Sequence, residues 1–151
     1  MSGHPFRTPI RATLALALAL TFPSCITVRV AAEYDEQIDA AATHLGKSMD
    51  AFLTNLETLP PGDSARHYVP NREFYKDYGV ELRALQVRAT SIVRNSITVQ
   101  QTELMGQNLE LMRSTHERQD SLSNAAIAQY RNLFNTGWTA ILTFELAKKH
   151  R

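Results

Sequence analysis

From Ile38 to Leu59 the apolar residues Ile38, Ala42, Leu45, Met49, Phe52, Leu56 and Leu59 recur at alternating steps of four and three without a miss. That spacing sets one stripe along one side of an α-helix, and such a helix persists only when the stripe is covered. The rest of the chain, or a second copy of it, must therefore supply helical partners. Glu33, Asp35, Glu36 and Asp39 crowd the first turns, where the helix dipole favours negative charge. Pro60-Pro61-Gly62-Asp63 stops the helix.

Three further segments have the same character. Ile97 to Arg118 has Thr98 three residues before Gln101, the form of a capping box, and Leu104, Met105, Leu109, Leu111 and Met112 as its stripe. Before it, Asn71 suits an N-cap, followed by Phe74, Tyr78, Leu82, Leu85, Ala89 and Ile92. After it, Ser123 suits another N-cap, followed by Ile127, Tyr130, Phe134, Gly137, Ile141 and Phe144. Ser64 to Asn71 has no period and reads as a long loop. The expectation is all-α: an antiparallel up-down-up-down four-helix bundle over residues 33–151, with helices at about 33–59, 71–93, 98–118 and 123–149. A homo-oligomer is the competing arrangement, since a strict heptad seam serves a second copy as well as it serves three neighbours.

The N-terminal residues have a different composition. Arg7 and Arg11 precede Ala12 to Phe22, an apolar run of signal-peptide length that falls short of the roughly 20 residues a membrane span needs. Residues 1–24 therefore read as a lipoprotein-type signal peptide, with Ser24-Cys25 as the lipobox end. Cys25, the only cysteine, then becomes the lipidated residue, and residues 25–32 are a tether. Cleavage after Val30-Ala31-Ala32 is the alternative, and it would release a soluble secreted or periplasmic protein. No Asp follows Cys25, so by resemblance to the lipoprotein sorting rule of two-membrane bacteria the expected location is the outer membrane, facing the periplasm.

No catalytic residues, metal ligands or cofactor are expected. With 16 basic and 15 acidic residues and no basic cluster, the chain has no footprint for nucleic acid. His4, His44, His67, His116 and His150 are scattered, without the Glu-x-x-His pairs of a di-iron bundle. A core holding a small apolar ligand, or haem between His116 and Met49 or Met112, is the alternative function. Gly79, Gly106 and Gly137 either open a pocket against Trp138 or let bulky neighbours pack closely. Arg83, Arg88 and Arg94 form either an anion site or pairs with Asp35 or Asp39. Lys148, Lys149 and Arg151 would lie near the bilayer. The candidate interaction loop is the aromatic segment holding Tyr68, Arg72, Phe74, Tyr75 and Tyr78; its own anchoring into the bundle end explains the same residues.

The stretch EFYKDYGVELRALQVRATSIVRNSITVQQTELM, followed by LFNTGWTAILTFELAKK, resembles a family of small bacterial predicted lipoproteins of unknown function. The features are the Phe-Tyr-x-x-Tyr start of the second helix, the Asn95-Ser96-Ile97-Thr98 break and the run from Phe134-Asn135-Thr136 to Lys149. The resemblance implies export, lipidation and a helical fold. The functional expectation is a non-enzymatic, membrane-anchored bundle that contacts an envelope protein as yet unknown.

Overall fold

A computed structural model describes residues 32–150. The expected signal peptide, the expected lipidation site Cys25 and the expected tether up to residue 31 lie outside the described residues. The described chain forms four helices, α1 Glu36–Thr58, α2 Tyr68–Ser91, α3 Ser96–Gln119 and α4 Asn124–Lys149, with a short 3-10 turn at Ser64–Arg66. In the ring, α1 lies between α2 and α4, and α3 lies between the same two. Polar contacts record that each neighbour runs antiparallel. Asp35 at the start of α1 holds Arg88 near the end of α2, and Glu57 near the end of α1 holds Arg131 near the start of α4. Thr98 in the first turn of α3 likewise holds Glu145 near the end of α4. This is the expected up-down-up-down four-helix bundle.

The core is the set of inward stripes. Ile38, Ala42, Leu45, Met49, Phe52 and Leu56 are buried as their spacing requires, while Leu59 falls just past the helix as its C-cap. Asp35 caps α1, its carboxylate accepting from the amides of Gln37 and Ile38 at 2.9 Å each, and Ser123 caps α4 by accepting from Ala126. Two expected boundaries move. α2 begins at Tyr68, before Asn71, because Pro70 sits in the first turn, where its missing N–H is not needed. The Asn71 amide instead reaches back to the carbonyls of Ala65 and His67, so the loop spans only 59–67. α3 begins at Ser96, and the expected capping box does not form: Thr98 turns inward to Glu145, and Gln101 Oε1 is buried without a hydrogen-bond partner.

The stripe of α3 differs most from expectation. Leu104 and Leu111 are 53% and 54% exposed, and the buried residues are Thr98, Thr102, Met105, Asn108, Leu109, Met112 and His116. On α4 the buried set continues past Phe134, Trp138 and Ile141 to Glu145 and Lys148. Tyr130 and Phe144 are half-buried. Polar side chains thus occupy seam positions at both ends of the bundle.

Candidate functional site

At the end where α2 starts and α3 stops, the expected interaction loop is helical and mostly internal. Tyr68, Tyr75 and Tyr78 are buried, and Phe74 stacks on Phe52 with ring centroids 3.7 Å apart. The Trp138 indole donates to the Tyr78 hydroxyl at 3.1 Å. Only Arg72 of the five is exposed. The aromatic segment anchors the bundle end and presents no aromatic surface loop.

Behind it, fully buried His116 joins three segments. Its Nε2 lies 2.8 Å from the Arg66 carbonyl and its Nδ1 lies 2.8 Å from the Tyr75 hydroxyl. A carbonyl only accepts, so the neutral ring carries its proton on Nε2, and Nδ1 accepts from Tyr75. Burial lowers the His116 pKa from 6.5 and outweighs the opposing bond to the Arg66 carbonyl. Because the folded value is depressed, the unfolded chain binds the proton more readily. Stability from this group is therefore complete above about 6.5 and is lost as pH falls from there through the folded value. Urea unfolding followed from pH 8 to pH 5 should show this acid loss, and His116→Gln should flatten it. An unchanged pH profile in the variant would assign the loss elsewhere.

The same bonds bear on haem. Both His116 nitrogens are engaged, and Met49 and Met112 are fully buried in the packed core. No group of three metal-ligating side chains occurs among the described residues.

At the opposite end, Lys148 and Glu145 form an ion pair of 2.6 Å with side chains 2% and 0% exposed. The Lys148 ammonium also donates to Asn95 Oδ1 at 2.6 Å and to Thr98 Oγ1 at 3.1 Å, and it lies 4.7 Å from the centre of the Phe144 ring. Lys148 is thus internal and does not face outward beside Lys149, as the basic C-terminal residues suggested. One signal in the sequence does point here: Phe134, Trp138, Ile141, Glu145 and Lys148 keep the four-three spacing. Nearby, Arg88 holds Asp35 through two bonds of 2.8 and 2.7 Å. This is the pairing alternative to an anion site, and it keeps the Asp35 carboxyl below its ordinary 3.8.

Arg83 belongs to a different feature, a surface groove of about 380 Å³ between α2 and α3. Gly79 on α2 and Gly106 on α3 both line it, the first beside Leu109 and the second beside Gln86, together with Tyr68, Arg72, Lys76 and Arg113. The helical glycines have separate roles. A Cβ on Gly137 would overlap Met105 Sδ, so this glycine serves close packing, but against Met105 and not Trp138. Trp138 lies instead over Gly46, 3.5 Å from where a Cβ would stand. At Gly79 a Cβ would meet Arg83 Nη1 at 3.4 Å and Leu109 Cδ2 at 3.7 Å, which is ordinary contact. Gly79→Ala should therefore raise stability by about 0.5–1 kcal/mol through helix propensity, whereas Gly137→Ala should cost about 1–3 kcal/mol through overpacking. Thermal melts of the two variants check the contrast, and equal shifts would refute it.

The molecule is thus an all-α bundle closed at each end by buried polar side chains. Comparison with protein-family models, with curated proteins and with solved structures found no match.

Proposed function

We propose that this is an exported protein anchored in the outer membrane through lipidated Cys25, facing the periplasm, with a non-enzymatic role exercised through contacts with another envelope protein. The resemblance to small bacterial lipoproteins belongs to the same reading. The observation that carries it is at Ala32. Ala32 is 8% exposed and its amide donates to the Arg94 carbonyl at 3.3 Å. A residue built into the bundle in this way belongs in the mature chain, which favours processing at Cys25 over cleavage after Ala32. The seven Cα–Cα steps from Cys25 to Ala32 reach at most about 25 Å when extended, which would hold the bundle base close to the bilayer. No helix among the described residues is long and apolar enough to cross a membrane; in this reading the anchor is the acyl groups on Cys25. The non-enzymatic part rests on the polar core: Lys148, Glu145, His116 and Arg66 are bonded to other groups of the fold and are turned away from the surface.

The test is fractionation of cells expressing the chain with radiolabelled palmitate. The wild-type chain should carry label and sediment with outer membranes, and Cys25→Ser should be unlabelled and leave that fraction. A mature amino terminus at Glu33 would overturn the reading.

A further inference from the structure

We propose that the α2–α3 groove is a docking site for an extended acidic segment of a partner protein; this deepens the protein-contact reading above and rests on it. Two of the four cations along the groove are already matched, since Lys76 pairs with Glu73 at 2.9 Å, and Arg113 pairs with Glu110 at 2.6 Å and Glu117 at 2.7 Å. Arg72 and Arg83 also line it, and among the described residues neither forms an ion pair or a side-chain hydrogen bond. Glu73, the acid beside Arg72, is held by Lys76.

The position of the Arg83 side chain is informative. Its Nη1 would stand 3.4 Å from a Cβ on Gly79, so the guanidinium lies back along the helix over the glycine. Arg72, Lys76 and the point above Gly79 are spaced four and three residues apart on α2 and share one face. Positive charge therefore runs for about 10 Å along the groove at 1.5 Å per residue. The absence of a side chain at Gly79 keeps the groove open, and close helix packing does not require it, because a Cβ there would make only ordinary contacts.

An extended peptide advances about 3.4 Å per residue, so carboxylates three residues apart match the distance between the two arginines. An acyl chain carries one carboxylate and cannot meet both arginines, and a nucleic-acid backbone, charged at every step, would set phosphates against Glu73 and Glu110, whereas a peptide can place its carboxylates at the two arginines alone. The charge pattern thus selects an acidic peptide.

The test is fluorescence anisotropy with the purified full chain and a fluorescein-labelled peptide, GSEATEATEG, whose glutamates are three residues apart. Saturable binding is expected, lost when the glutamates are replaced by glutamine. It should weaken about tenfold in the double variant Arg72→Gln/Arg83→Gln and by a similar factor in Gly79→Leu, which fills the groove. Lys47→Gln, an exposed cation on α1, should bind as the wild type does. Circular dichroism melts verify that each variant is folded. No saturable binding, equal binding by the double variant, or displacement of the peptide by sodium laurate at lower concentration than by the unlabelled peptide would each overturn the assignment. No membrane enters this titration, so failure of Cys25 labelling would remove the anchor without touching the groove.

Discussion

Lys148→Met should lower the unfolding free energy by about 3–5 kcal/mol, because it strands a carboxylate in the core. In the wild type the ammonium of Lys148 satisfies Glu145 Oε1, Asn95 Oδ1 and Thr98 Oγ1 together. Glu145 is 0% exposed, and its second oxygen is buried without a hydrogen-bond partner. After the substitution its charge would be met only by the Thr98 hydroxyl, which donates to Oε1 at 2.8 Å. Desolvation makes that state costly, and several kcal/mol is a large share of a small domain's stability. Replacing both charges, as Glu145→Leu/Lys148→Met, should recover the part of the loss that comes from the stranded carboxylate, while Asn95 Oδ1 and the Thr98 hydroxyl, which lose their partners, keep the rest. Urea unfolding of both single variants and the double variant gives the coupling energy directly. A loss below about 1 kcal/mol for Lys148→Met would mean that the cluster is not sealed from water.

That cluster also shows where the fold was legible in the sequence and where it was not. On α1 every residue of the strict seam from Ile38 to Leu56 is buried, because an unbroken apolar stripe leaves no other face to bury. On α3 the seam runs Thr98, Thr102, Met105, Leu109, Met112 and His116, and only its middle is apolar. Choosing residues by hydrophobicity draws Leu104 and Leu111 into the stripe in place of the polar ends. What makes Thr98 and His116 acceptable inside the bundle lies more than 40 positions away, on Glu145 and on Tyr75. No local window contains that information. The helix starts shift for a related reason: Thr98 and Asn71 have capping chemistry but spend it on Glu145 and on the turn before α2.

The site was legible only in outline. An aromatic run next to a proline looks like a partner surface, yet the faces of a helix decide which rings are free, and three of the four rings point inward. Arg72 belongs to that run by its chemistry and is the one exposed member of the set. The three arginines between Glu81 and Glu103 look alike in the sequence, but Arg88 closes on Asp35 while Arg83 lies over Gly79. The distinction depends on which helix faces each side of α2. The groove itself depends on how α2 and α3 are set against each other, with Gly79 beside Leu109 and Gly106 beside Gln86, a register that spacing within either helix cannot give.

At the other end of the bundle, Arg66→Met should cost about 3 kcal/mol or more, because three acceptors lose their donor. Arg66 is 3% exposed, and its guanidinium donates to the carbonyls of Leu59 at 2.9 Å and Leu122 at 2.8 Å and to Asn124 Oδ1 at 2.7 Å. Those carbonyls follow the C-termini of α1 and α3, where the helix dipoles place negative charge, so a buried cation is held there without a carboxylate. Methionine keeps the stem and the volume but none of the donors. Arg66→Lys keeps the charge but cannot span three acceptors from one ammonium, so it should recover only part of the loss. The damage should be local as well as global. The Tyr68 amide donates to the Asp120 carbonyl at 3.0 Å across the same junction, and its hydrogen exchange should speed up beyond what the fall in global stability accounts for. A wild-type exchange rate at Tyr68 together with an unchanged melt would show that the junction between residues 59–67 and 120–124 is held by its apolar contacts and not by Arg66.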